Sequence, residues 1–245
     1  MNLILIGCEH AGTTTLIGEI GKWVERAMGG RMGIHDHWKI PHTSGHLPGD
    51  TAHFLTLEEQ AQVLALSPKL KEMHQRHSLY YHIQPGAFDK GKEEQQGFYP
   101  DYLAIGMHIE DAVYGPLYFG YGGEGQPAPR DVVKKTVERA LLKFAPEFVL
   151  VHVKADPAVI RQRMAEVPHD NPVVRDEDVE QVLRRFEEEY ERSLINNKFT
   201  IDTSTATVEE CVAEFLEKYE PFVTVSDRTR ILVHAARQRG EWLQI

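Results

Sequence analysis

The opening residues constrain this chain more than any other stretch. An apolar run from Leu3 to Ile6 breaks at Gly7, and a helical pattern begins after Gly12. A buried strand that passes through a glycine-bounded loop into a helix points to an α/β protein. In that context the loop N–H groups and the helix N-terminus form an anion site. Gly7-Cys8-Glu9-His10-Ala11-Gly12-Thr13-Thr14 has the spacing of the phosphate-binding pattern G-x-x-x-x-G-K-[ST], with Thr13 where the pattern has lysine. Gly7, His10, Ala11, Gly12, Thr13, Thr14 and Thr15 are therefore the expected phosphate-binding residues, and the Thr14 hydroxyl the expected ligand of a magnesium ion. Without the lysine, the charge at the β- and γ-phosphates must be met from elsewhere.

Leu16, Ile17, Ile20, Trp23, Val24 and Met28 recur at helical spacing, so a helix is expected from Thr13 to about Gly29. A short second strand over Arg31 to Ile34 delivers Asp36, His37 and Trp38 to the crevice beyond the carboxyl ends of the sheet, where ligands of parallel α/β proteins sit. These three residues, with Arg76 further on, are the expected substrate contacts. The region from about 40 to 100 reads as an insertion that caps the substrate. Its helical part, Leu57 to about Ile83, is interrupted near Ser67-Pro68, and Leu64, Leu66, Leu70, Met73, His77 and Tyr80 are its expected buried residues. The histidines at 35, 37, 42, 46 and 53 lack the helical spacing and nearby glutamate of a zinc site and are read as solvated.

Tyr102 to Ile109 is an apolar run of strand length followed at once by Glu110-Asp111. Acids at the end of a central strand lie beside the phosphate loop, where Glu110 or Asp111 accepts a hydroxyl proton and Asp111 shares the metal with Thr14. The competing role for Asp111 is a helix N-cap. Asp131 to about Phe144 reads as a helix, Phe148 to Val153 as the fourth strand, and Asp156-Pro157 as the start of the next helix. That helix carries Arg161 and Arg163, and Arg175 follows a short polar segment. Arginines so placed form a lid, at about 161–185, which supplies the charge that the loop lacks. Salt bridges to Glu187, Glu188 and Glu189 compete for them. A strand at Phe199-Thr200-Ile201, a helix from Val208 to about Tyr219 and a helical tail from Ser226 complete the chain.

This order of elements resembles the P-loop nucleoside and nucleotide kinases, most of all the thymidylate kinase and deoxynucleoside kinase group. The likeness covers about residues 1–220 and rests, as motif, on Gly7 to Thr14, on Glu110-Asp111 and on Arg161 to Arg185. It implies magnesium-dependent phosphoryl transfer from ATP to a small, nucleoside-like acceptor. Thr14 would then serve magnesium, Glu110 or Asp111 would stand at that group's acidic-arginine pair, and Arg161 to Arg175 would form the lid. Two positions depart from the pattern: Thr13 replaces the lysine, and Ala112 follows the acids where an arginine is expected. Gly12-Thr13-Thr14 is also similar to the sulfotransferase loop that binds PAPS, a family whose lysine falls at His10 here. A third reading is a P-loop domain that binds a nucleotide or partner without catalysis.

With 245 residues, 42% hydrophobic and 26% charged, the chain can bury one sizeable core, which fits a single three-layer α/β/α domain with a mostly parallel sheet of about five strands. A net charge of -10 argues against a general nucleic-acid or membrane-surface binder. Cys8 and Cys211 read as free thiols of a reducing compartment. The first residues carry neither a basic region nor an apolar run long enough for a signal peptide or a membrane span, so the expected location is the cytoplasm. The expected partners are a nucleotide and a small-molecule substrate, with aromatic residues of the tail available to a homodimer.

Overall fold

The structure is a computed structural model that describes residues 1–29, 34–36, 40–41, 44–45, 53–84 and 101–241. The elements run β1 (Asn2–Ile6), α1 (Thr13–Met28), β2 (Ile34–His35), the short antiparallel pair β3 (Ser44–Gly45) and β4 (His53–Phe54), α2 (Leu57–Ala65) and α3 (Pro68–Tyr81). They continue with β5 (Tyr102–Ile105), α4 (Met107–Tyr114) with a π-helical turn (Gly115–Phe119), α5 (Arg130–Phe144), β6 (Val149–Lys154) and α6 (Pro157–Glu166). Then come α7 (Val179–Glu191), β7 (Lys198–Asp202), α8 (Val208–Tyr219) and α9 (Val225–Gln238).

β1 is the central strand of a five-stranded parallel sheet of order β2-β5-β1-β6-β7. Leu3, Ile4, Leu5 and Ile6 are all buried, so alternate side chains enter the core on both faces and the strand reads as a continuous apolar run. Each contributes about 1.5–3 kcal/mol by leaving water. Helix α1 packs against α8 and α9, while α4 packs against α3, α5 and α7. The buried stripe of α1, Leu16, Ile17, Ile20, Val24 and Met28, follows the periodicity expected of it. Among the described residues no helix is long and apolar enough to cross a membrane.

Two local expectations, on the end of β5 and on the inward face of α3, are corrected. β5 stops at Ile105 rather than Ile109, because Gly106 (φ 70, ψ −67) and Met107 (φ 49) turn the chain into α4. A short apolar run fits a buried strand and a buried helix equally, and here Met107, Ile109 and Val113 continue into the core as helix. Glu110 and Asp111 thus sit on α4, and Asp111, inside it, is no N-cap. The second strand is Ile34–His35, with 31–33 outside the described residues. Helix α3 turns the opposite face inward from the one its apolar residues suggest: Glu72, Gln75 and Leu79 are buried, whereas Leu70 and Met73 are each 44% exposed. Leu64 and His77 are also exposed, and Leu66 and Tyr80 half-buried. Ion pairs of Glu72 with Arg130 and Arg76 explain the choice, since a charge enters a core only when paired. The break at Ser67-Pro68 is as expected, with the Ser67 hydroxyl accepting the Leu70 N–H and Pro68 in the first turn of α3.

One buried group makes stability depend on pH. His152, 1% exposed on β6, has its pKa pushed down to about 4 by burial, against 6.5 for the free side chain. The unfolded chain therefore binds the proton more readily, and stability is lost as pH falls from about 6.5 to about 4, by about 3 kcal/mol in total. Urea unfolding of a His152→Gln variant is expected to show a smaller loss of stability between neutral pH and pH of about 4.5 than the native chain. Equal losses would assign the acid sensitivity to other groups.

Candidate functional site

Parallel register brings the carboxyl ends of the strands to one edge: Leu5 pairs with Ile105, Ile6 with His152, and Lys154 with Asp202. The connections that follow β1, β5, β6 and β7 converge there, as the rule for open α/β sheets requires of a binding crevice. In the loop after β1, a Cβ at Gly7 would stand 2.6 Å from the Val153 carbonyl, so only glycine lets the chain leave the strand this closely. His10 (φ 63) and Gly12 (φ 94) both take left-handed backbone, the geometry that gathers successive amides into an anion nest. Gly12 is the N-cap of α1 and no side chain caps the helix, leaving the first-turn N–H groups to a ligand.

Two distant residues fix this loop. The Thr203 hydroxyl donates to the Ala11 carbonyl at 2.8 Å, so the planar peptide aims the Gly12 N–H away from Thr203. Arg163 donates through Nη1 to the His10 carbonyl (3.0 Å) and to Thr203 Oγ1 (3.1 Å), and through Nη2 to the Thr203 carbonyl (2.7 Å). The loop reaches out in turn through Glu9, whose Oε2 accepts the N–H groups of Val173 and Val174, each at 2.9 Å. The His10 ring stacks on His169 at 4.2 Å. The segment between α6 and α7 is thereby fastened over the loop.

Two cavities flank the loop and share His10, Thr13, Thr14 and His169 in their walls. The first, of about 460 Å³, is completed by carboxylates, Glu9, Asp36, Glu110 and Asp170, with Gln60 from α2. The second, of about 390 Å³, is lined by Arg163 and Thr203 and by apolar Val167, Ala206 and Val208. Glu110 is placed by the turn before it: a Cβ at Gly106 would collide with its carboxyl group, so glycine there lets the carboxylate fold back toward the end of β5. The strained pair Gly106-Met107 is the kind of backbone found where a site overrides local preference.

The structure divides the expected site residues. Gly12, Thr13, Thr14, Thr15, His10, Asp36, Glu110 and Arg163 border one cavity or both. Asp111, expected beside the metal, faces the other way: it is 4% exposed, accepts from Tyr121 Oη at 2.9 Å and pairs with Arg130 Nε at 3.0 Å. Burial raises its carboxyl to about 6, against the opposing pull of Arg130. Arg161 bonds Asp176 and Glu180 on the surface, Arg175 lies over the Tyr118 ring at 6.0 Å, and Arg76 is held by Glu72. None of these four lines either cavity. Arg185 pairs with Glu188 and Glu189, the competing use foreseen for the arginines. His37 and Trp38 lie outside the described residues. Three contributors escape the motif: Glu9, hidden in its variable positions, Thr203, just past the last strand, and His169, in the polar segment between α6 and α7. A magnesium ion suits the first cavity, where Thr14, Asp36 and Glu110 offer hard oxygen donors. Among the described residues no group of three or more His, Cys, Asp or Glu forms a metal cluster.

The sequence matches no family model and no curated protein. The fold matches solved structures. Deoxyadenosine kinase from M. mycoides with bound dATP superposes with a TM-score of 0.54 at 14% identity, covering 90% of this chain and 100% of that chain. Thymidylate kinase from Candida albicans gives 0.50 at 11% identity, covering 90% of this chain and 91% of that one. The YorR protein from Bacillus subtilis, in complex with phosphorylated GDP, gives 0.50 at 14% identity, with 90% and 98% covered. The chain has the fold of the P-loop nucleoside and nucleotide kinases.

Proposed function

We propose that the chain is a phosphotransferase that moves a phosphoryl group from ATP to a small, nucleoside-like hydroxyl acceptor. The observation that carries this reading is the pair of unlike cavities meeting at Thr13 and Thr14, one bordered by Arg163 and the other by Glu110. The triphosphate lies along the loop amides, with its nucleoside in the cavity of Ala206 and Val208 and its γ-phosphoryl group turned toward the other. The acceptor occupies the larger cavity. Glu110 takes the hydroxyl proton as the acceptor oxygen bonds to the γ-phosphorus, and the bond from that phosphorus to the bridging oxygen breaks to release ADP. Arg163 offers the positive charge that Thr13 does not. Thr14 with a carboxylate of the first cavity would hold a magnesium ion, which would neutralise phosphate charge. A cytoplasmic location accords with Cys8 and Cys211 as thiols that form no disulfide.

Calorimetry with ATP, followed by transfer assays over a panel of hydroxyl acceptors, tests the reading. Glu110→Gln is expected to lower kcat by at least about a hundredfold while ATP affinity stays within about twofold, the signature of a group that acts in the transition state. Native kcat in that variant removes Glu110 from the chemistry. ATP affinity without transfer to any acceptor favours a binding protein, and affinity for PAPS in place of ATP favours sulfuryl transfer.

A further inference from the structure

Glu110 and Asp111 are consecutive on α4, so their side chains diverge by about 100°. Glu110 meets the cavity, and Asp111 enters a buried ionic cluster centred on Arg130, the first residue of α5 and 2% exposed. Arg130 Nε lies 3.0 Å from Asp111 Oδ2, and its Nη1 donates to Glu72 Oε1 at 3.2 Å. Its guanidinium lies over the Tyr121 ring at 4.5 Å, and the same tyrosine donates to Asp111 Oδ1 at 2.9 Å. One planar side chain therefore joins α3, α4 and the connector before α5. Two charges of each sign balance, since Arg76 also binds Glu72, at 3.0 Å. The connector is shaped for this group. A Cβ at Gly122 (φ 83) would strike Arg130 Cγ, and one at Gly115 would come within 2.6 Å of the Tyr121 ring.

We infer that Arg130 is a positioning residue: by holding Asp111 and Glu72 it sets the rotation of α4 that aims Glu110 into the cavity, and it ties α3 to the same setting. The inference rests on Glu110 acting at the acceptor. Its physical basis is rigidity, because a helix entered through a strained Gly106-Met107 turn needs a second point of attachment to fix its roll. Arg130 provides that point with a fork and a stacking face, which a lysine lacks.

Arg130→Met and Arg130→Lys test it, with Tyr121→Phe as a milder variant that deletes only the hydroxyl on Asp111. Misplacement of a catalytic group by about 1 Å costs about 10²-fold, so Arg130→Met is expected to lower kcat by about that factor, with ATP affinity within about twofold. Arg130→Lys and Tyr121→Phe are expected to fall between it and the native chain. In a Glu110→Gln background Arg130→Met should cost almost nothing more, because its effect passes through Glu110. Hydrogen exchange gives a readout independent of turnover: α3 and α4 amides lose protection together in the variants while those of β1 do not. Native kcat in Arg130→Met, or an equal fall in both backgrounds, overturns the inference. If Arg130→Met fails to fold, Arg130→Lys and Tyr121→Phe take its place: native kcat in both, or an equal fall in both backgrounds, overturns the inference. If the native chain transfers nothing, the kinase reading fails by itself, and exchange decides the strut: unchanged α3 and α4 protection overturns it.

Discussion

Calorimetry on Gly12→Val is expected to show no nucleotide binding at ATP concentrations that saturate the native chain. The cause is conformational rather than a clash, because a Cβ at Gly12 has only Arg163 and Thr203 atoms near it, all at 3.9 Å. What valine cannot do cheaply is hold φ 94. Left-handed backbone costs an L-residue about 1–2 kcal/mol, and a β-branched side chain is the worst suited to it. The loop relaxes by turning the peptides that aim its amides, and the anion nest is lost. Circular dichroism should stay native, since the change is confined to the turn between β1 and α1. Gly12→Ala is expected to fall between the two. Undiminished affinity in Gly12→Val would take the loop out of the site.

The second large effect separates two arginines on one helix. Arg163→Ala is expected to reduce transfer by at least about a hundredfold, since arginines supplied to other phosphoryl-transfer sites contribute about 10³–10⁵ in rate. Arg161→Ala should stay within about threefold, because that side chain is spent on Asp176 and Glu180 at the surface and exposed ion pairs contribute about 1 kcal/mol at most. Arg163 is both a charge and a clamp on the carbonyls of His10 and Thr203, and two variants tell these apart. Arg163→Lys keeps the charge and gives up the fork, so partial activity in it assigns part of the loss to geometry. Thr13→Lys, placed in the Arg163→Ala chain, returns a cation at the usual position of the phosphate-binding pattern and is expected to recover part of the rate. If Arg163→Ala transfers at the native rate, the missing lysine has no replacement here.

The parts of this fold that were legible are those whose cause is local. β1, its loop and α1 follow from an apolar run, two glycines and one helical stripe, all within the first residues of the chain. Helix α8 was legible for the same reason, and its boundaries, Val208 to Tyr219, are those expected. Glu110 and Asp111 read from the sequence as a pair beside the loop, but the structure turns one acid to a cavity and the other to Arg130, a division that depends on a turn at Gly106 that an apolar run does not announce. Ala112 leaves no arginine beside the acids in sequence, and Arg130 meets Asp111 from another helix. Hydrophobic spacing fails on the inward face of α3 for a related reason: it cannot foresee that Glu72 will find two guanidinium groups. The contacts that hold the loop between β1 and α1 were out of reach. Glu9 meets residues 164 and 165 positions away, and Ala11 meets one 192 positions away.

That last separation bears on when the site comes into being. Thr203 stands just beyond β7, the final strand of the sheet to leave the ribosome, yet it holds a loop made among the first residues. Closing so long a segment carries an entropic cost that is met only as the intervening strands dock, and contacts of this kind belong to the slow end of folding. The loop's sequence is thus complete long before its geometry is. A nascent chain that ends before β7 carries every glycine and threonine of the loop without the grip of Thr203, so on the reading proposed above its nucleotide affinity would gauge whether the last strand of the sheet has docked.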